Sequence, residues 1–483
     1  MPTIPGMFTA LDALPFADRL ISLRHALHRE PELGLDLPLS QAKVLGALAG
    51  LPLEITIGTG LTSVTAVLRG GRPGPAVLLR GDMDALPVQE ESGVAYASTI
   101  PGVMHACGHD IHTSAVVGAA HLLAARRAEL AGDVVFMFQP GEEGQRGAKV
   151  MIEEGVLDAA GSRVVAAYAI HVASTMLPLG VVATRPGTIL AASDSVTVTV
   201  HGKGGHGSSP HLAVDPVPAL CEMVTALQTM ITRTADAFDP AVLTVGSIHA
   251  GSAFNVIPEM GTFQATVRTF SPGTHRKIQA AVKRVVQGIA DAHGVRVEID
   301  YQANYPVTVN DPAEAAFALA TVRGLVGPQR AFQAPQPVAG AEDFSFVLEQ
   351  VPGAYLMVGA VPPGTDPGAA PMNHAPQAVF DDRSVLEAAT VLASLAAARL
   401  AKASSDAVPA AATNPAAAPD TAPDTASGAA SNPASGAASG AVSGAASGAV
   451  SGAASGAVSG VASNPASGAA SDTVSGAASG AAE

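Results

Sequence analysis

Only two cysteines occur in 483 residues, and one of them, Cys107, stands in MHACGHDIH (104–112) among His105, His109 and His112. Thiolate and imidazole are good ligands for borderline divalent metals such as Zn²⁺. In an extended segment the i, i+2 spacing of Cys107 and His109 would point both side chains to one side. The same residues suit a thiol nucleophile with a histidine base, or a buried cysteine with polar neighbours, since free cysteine is among the most buried residue types. Nothing inside the nonapeptide separates these readings.

Other chemistry-bearing residues narrow the choice. Glu142 and Glu143 in QPGEEG follow an apolar run and sit beside glycines that let the backbone bend sharply. Adjacent carboxylates repel unless a cation or a shared proton relieves them. The economical functional reading gives one to a metal and leaves the other as general base towards water. His171 closes AYAIHV, and His374 lies in PMNHAPQAVFDD. With Cys107, His109 and Glu143 they make five ligand-type side chains at strand ends, enough for two metals sharing one ligand. Asp82 and Asp84, in RGDMDALP, are candidates either as ligands or to hold an imidazole. HREPELG (28–34) reads as a helix terminus closed by Pro31 and Gly34. A separate group comprises His206 in the glycine-rich HGKGGHGSSPH, Asn255 in AFNVIP and Arg268 in ATVRTF. The loop lacks the P-loop spacing, and an arginine fork suits a carboxylate.

The elements that must position these residues alternate short β-branched runs with helical stretches, which predicts an α/β architecture. PAVLLRGDMDALP, DVVFMFQPGEEG and VVAAYAIHV read as strands that deliver polar residues at their C-terminal ends, where open α/β sheets place ligands. DIHTSAVVGAAHLLAARRAEL (110–130) is spaced as a helix. From 189 to 303 the pattern changes to strand, helix, two strands, helix, strand, a ferredoxin-like βαββαβ unit inserted into the larger domain. The predicted catalytic domain is therefore split into 1–188 and 304–402. From 403 to 483 the chain is Ala/Ser/Gly-rich, has no aromatic residue, and is expected to be a disordered tail.

A net charge of −15, from 26 basic and 41 acidic residues, offers no basic stripe for a phosphate backbone, so nucleic acid is not expected as a partner. No signal-peptide pattern and no continuous apolar run of about 18 residues stand out, so neither membrane association nor export is expected. Two cysteines are too few for a disulfide framework. A cytoplasmic protein is the resulting expectation.

Taken in order, MHACGHDIHT, QPGEEG, AIHV, GKGGH, AFNVIP, GAEDF and NHAP resemble the M20 metallopeptidases. The nearest branch is the amidohydrolases that include hippurate hydrolase, N-acyl-amino-acid hydrolases and plant auxin-conjugate hydrolases. The resemblance spans about residues 15 to 400. It implies two divalent ions per subunit (Mn, Zn, Co or Ni), held by Cys107, His109, Glu143, His171 and His374 with Cys107 bridging, and Glu142 as general acid/base. It also implies that the inserted unit is a lid and dimerisation domain. His206 would stabilise the tetrahedral oxyanion in the other subunit of a homodimer, or of a larger homo-oligomer. Asn255 and Arg268 would bind the carboxylate of a small N-acyl amino acid. Asp82 stands where many M20 peptidases have the histidine of a His-x-Asp pair, a departure that fits the amidohydrolase branch. The remaining alternatives are a dipeptidase or carboxypeptidase of the same family, a thiol hydrolase, and a non-catalytic metal-binding protein.

Overall fold

The computed structural model describes residues 7–406. Four parallel strands form the middle of an eight-stranded sheet: Ala131–Gln139, Arg72–Asp82, Ala166–Pro178 and Gly353–Val361, in that spatial order. Leu53–Ile57 and Val64–Leu68 extend one side as antiparallel strands, and Val182–Thr184 and Ala331–Gln333 extend the other. The central strands read as continuous apolar runs because both faces are covered. One face packs Leu79, Phe136, Phe138 and Ile170 against helices Ala17–Arg29, His109–Ala125 and Arg383–Asp406. The opposite face packs Leu78, Val135, Met137 and Tyr355 against the shorter helices Gly147–Glu153 and Ser345–Leu348. The architecture is mixed α/β, as the alternating pattern predicts.

The expected start of the tail at 403 falls inside a helix, which runs over Arg383–Asp406. The rest of that expected tail, from 407, lies outside the described residues. The helix is apolar enough over Arg383–Ser404 to cross a membrane by length and composition, but 78% of that window is buried inside the protein. Its apolar surface is therefore already used by the sheet.

Between residues 192 and 305 the chain builds a second sheet, ordered Ala241–Ala250, Met260–Thr269, Ala192–His201, Arg296–Tyr305, all antiparallel. Along Ala192–His201 buried and less buried residues alternate, the signature of a strand covered on one face. Helices Pro216–Thr234 and Pro272–His293 supply the cover, packing Leu220, Met223, Ile278 and Val282 against Val196, Val198 and Phe263. Asp215 and Ser271 cap the two helix starts through backbone N–H groups of Val217 and Thr274. Where the chain leaves and re-enters the large sheet, Gly187–Leu190 and Thr308–Asn310 pair antiparallel.

Candidate metal centre

Cys107 and His109 do not lie on the extended segment that the i, i+2 argument expects. Cys107 is in a turn and His109 is the first residue of helix His109–Ala125. Gly108 between them has φ 85°, and a Cβ there would meet Val172 Cγ2 at 2.5 Å. The left-handed glycine, rather than strand alternation, is what brings the thiol and the imidazole together. Nor does His171 end its strand: it sits within Ala166–Pro178, with its imidazole at the cluster. Glu142 and Glu143 follow the end of strand Ala131–Gln139, on a turn made by Pro140 and by Gly141 at φ 70°. His374 adopts φ 73°, a left-handed conformation costly for a side chain with a Cβ and typical of ligand-holding positions.

These elements converge. Ligand atoms of Cys107, His109 and His171 lie within 4.8 Å of one another, as do those of Cys107, Glu143 and His374, so the thiol belongs to both triads. Cys107 Sγ is 3.2 Å from His171 Nε2 and 3.2 Å from His374 Nε2. His171 donates its Nδ1 proton to the Val172 carbonyl (2.8 Å) and His109 donates its own to the Asp84 carbonyl (2.8 Å), leaving both Nε2 lone pairs facing inward. His109 Nε2 is buried without a hydrogen-bond partner, and Glu143 Oε1 lies 3.2 Å from His374 Nε2 without hydrogen-bond geometry. Burial works against ionising the Cys107 thiol, but the imidazoles of His171 and His109 outweigh it and hold the thiol well below its usual range. Contacts with Cys107 and Glu143 lift His374 to about 10, while burial lifts Glu143 itself. His374 pulls the Glu143 carboxyl down but does not offset its burial, a deficit that a cation would make up. Converging lone pairs, a thiolate and orphaned ligand atoms fit a pair of divalent ions.

Around this cluster stands a frame that sequence reasoning left open or missed. Asp84 accepts the backbone N–H of Glu142 at Oδ1 (2.9 Å) and that of Glu143 at Oδ2 (2.9 Å), while its carbonyl fixes His109. Asp82 is engaged at both oxygens: Oδ1 accepts from His112 Nδ1 (2.6 Å) and Oδ2 from Arg80. His112 in turn accepts the Val172 N–H at Nε2 (2.9 Å), so both its nitrogens are occupied. Arg80 is fully buried and also reaches Glu342 (2.8 Å) and Asp343 (2.9 Å). Both come from GAEDF, from which no residue was singled out. Burial, then the carboxylates of Glu342, Glu143 and Asp343, push the Glu142 carboxyl well above its usual range. Asn373 donates to the carbonyls of Cys107 (3.1 Å) and Val172 (2.9 Å), pinning the loop that presents His374. Apart from Arg80–Asp82, these contacts join residues distant in sequence, and only the carboxylate-rich GAEDF gave a local hint.

The second group is assembled separately. His206 pairs with Val256 in a short antiparallel bridge, which sets Asn255 beside it, with the Asn255 carbonyl accepting the Gly207 N–H at 2.8 Å. His206 is exposed, and its Nδ1 accepts the Ser208 N–H at 3.1 Å. Arg268 is half-buried on strand Met260–Thr269 and donates to Thr266 Oγ1 (2.6 Å) and the Val267 carbonyl (3.1 Å). Among the described residues no hydrogen bond or ion pair joins His206, Asn255 or Arg268 to the Cys107 cluster.

A profile of peptidase family M20/M25/M40 matches residues 78–398. Thermostable carboxypeptidase 2 of Saccharolobus solfataricus is 38% identical over 355 residues, covering 72% of this chain and 87% of that protein. N-acetylcysteine deacetylase of Bacillus subtilis is 34% identical over 382 residues, 79% and 97% of the two chains. Among solved structures, the Bacillus subtilis YXEP protein, described as a dinuclear metal binding peptidase from the M20 family, aligns with a TM-score of 0.68 at 31% identity. The alignment covers 80% of this chain and 99% of that one.

Proposed function

The chain belongs to peptidase family M20/M25/M40, and from that premise we propose that it is a metal-dependent amidohydrolase that splits N-acyl amino acids, hippurate-like compounds among them, into a carboxylic acid and a free amino acid. The observation that carries this reading is the Cys107 thiol shared by two ligand triads, with the Glu142 carboxylate within 4.8 Å of His109 and Glu143 ligand atoms. Cys107, His109, Glu143, His171 and His374 would hold two divalent ions, Cys107 between them. Mn, Zn, Co and Ni are the candidate metals. Such a pair, when bound, polarises the scissile carbonyl and makes water nucleophilic near neutral pH.

The chain's own residues do the rest. Glu142 takes the proton of the attacking water and passes it to the leaving amine. His206 accepts at Nδ1, which leaves the proton on Nε2, the tautomer that donates to a tetrahedral oxyanion. In this proposal the inserted sheets pair in a homodimer and His206 serves the site of the second subunit, a role that its exposure and its separation from the cluster support. Asn255 and the Arg268 fork bind the substrate carboxylate.

A second reading, peptide-bond cleavage by the same centre, is favoured by the 38% identical carboxypeptidase. A hydrolysis panel decides: benzoyl, acetyl, indoleacetyl and long-chain acyl amino acids, with dipeptides, each with Mn²⁺, Zn²⁺, Co²⁺ and Ni²⁺. Release of free amino acid from acyl conjugates ahead of dipeptides supports the first reading. Preference for dipeptides supports the second, and metal-loaded protein inert towards all of them overturns both.

A further inference from the structure

We propose that Tyr305, at the root of the inserted sheet, is a positioning residue for the turn that carries Glu142 and Glu143, a role that rests on the function proposed above. Its hydroxyl donates to the Glu142 carbonyl and accepts the Gly144 N–H at 2.6 Å. Asp84 takes the N–H groups of Glu142 and Glu143. The peptide groups on either side of the catalytic carboxylate are thus held by two side chains, one from Asp84, two residues past strand Arg72–Asp82, and one from the last residue of the inserted sheet.

A local irregularity makes this grip achievable. Neighbouring strand residues point to opposite faces, so Asn304 and Tyr305 in a regular strand could not both reach one turn. The pairing of Arg296–Tyr305 with Ala192–His201 breaks its register between Ala303, opposite Asp194, and Tyr305, opposite Ser193. The extra residue re-aims the chain, as bulges beside active sites do. Asn304 Oδ1 then accepts from Arg146 Nη2 at 2.9 Å, on the far side of the same turn, while its Nδ2 donates to Ser195 Oγ at 3.1 Å, in the inserted sheet. Arg146 has φ 59°, a conformation a non-glycine residue holds only under constraint. Tyr305 is 7% exposed, and its ring meets Phe346 edge-on at 6.3 Å.

Tyr305→Phe removes the hydroxyl and keeps the ring packing. The measurements are kcat and KM on the best substrate of the panel, metal content, and deuterium exchange of the peptide covering 140–148. Expected is a roughly tenfold fall in kcat, about 1.4 kcal/mol, with KM within about twofold, metal content unchanged and faster exchange in 140–148. Asn304→Ala should speed the same exchange with a smaller fall in kcat, and it stands in if Tyr305→Phe does not fold. Wild-type kcat and wild-type exchange in the folded variant would overturn the proposal. If the wild-type protein hydrolyses nothing on the panel, the proposed function fails, while the exchange comparison still decides whether Tyr305 holds the turn.

Discussion

Replacing Asp84 by asparagine changes one oxygen to an amide nitrogen, and the structure says what that should cost. The carboxylate accepts two backbone N–H groups, from Glu142 and Glu143, both at 2.9 Å in a buried setting. Hydrogen bonds to charged groups contribute about 1.5–3 kcal/mol each. Asparagine keeps one acceptor but turns its NH₂ towards the other N–H, so one bond is lost and a buried donor is left without a partner. If a loss of about 2–3 kcal/mol falls on the placement of Glu142 in the transition state, kcat drops roughly 30- to 150-fold. Glu143 is loosened by the same change, so metal affinity should weaken by about tenfold or more. The His109 contact uses the Asp84 backbone carbonyl and survives. Steady-state kinetics and chelator competition on purified Asp84→Asn measure both effects, with a thermal melt to establish folding. A folded variant with kcat within threefold of wild type and unchanged metal affinity would refute the assignment of Asp84 as the residue that sets the carboxylate pair.

Glu142→Ala should lose about 10²–10⁴ in kcat while binding metal normally, since the base is removed and the ligands stay; normal turnover with normal metal content would rule out Glu142 as the proton carrier. Cys107 should resist alkylation while metal is bound and react once a chelator strips it, as read by mass spectrometry; equal labelling in both states would remove the thiol from the ligand set. His28 gives a pH prediction away from the cluster. Burial pushes its imidazole down, but Asp110 (2.9 Å) and Glu90 (3.2 Å) lift it to about 9; Arg24 shares Asp110, and the Tyr96 and His105 rings lie alongside. A raised histidine stabilises fully below its unfolded value of about 6.5 and loses that contribution as pH rises through about 9, at most about 3 kcal/mol. Melting temperature should fall between pH 7 and 10 more steeply in wild type than in His28→Gln, and parallel profiles would contradict it.

The parts of this protein legible in its sequence are those whose signal is local. Apolar runs such as AVLLRGD and VVFMFQ mark buried parallel strands because both faces of the sheet are covered. The ligand types of Cys107, His109, Glu143, His171 and His374 could be picked out because few other uses bring such groups together. How they converge was less legible. Strand alternation misjudged the backbone around Cys107 and His109, because Gly108 takes a left-handed turn with no room for a Cβ beside Val172 and Phe380. The role of Asp84, the Arg80–Glu342–Asp343 network and the reach of Tyr305 to Glu142 depend on contacts between residues far apart in the chain, which no local pattern encodes. The end of helix Arg383–Asp406 was set four residues short because Ala-Ser composition reads alike in a helix terminus and a tail.

Metal titration of stripped protein tests the central claim most directly. The apo-protein is titrated with Mn²⁺ or Zn²⁺ while release of glycine from benzoylglycine, or of the amino acid from the best panel substrate, is followed. The account predicts no activity without metal, activity that saturates at two equivalents per chain, and loss of that behaviour in Cys107→Ala. Hydrolysis that survives complete removal of metal, or that saturates at two equivalents with Cys107 absent, would contradict a two-metal centre built around the shared thiol.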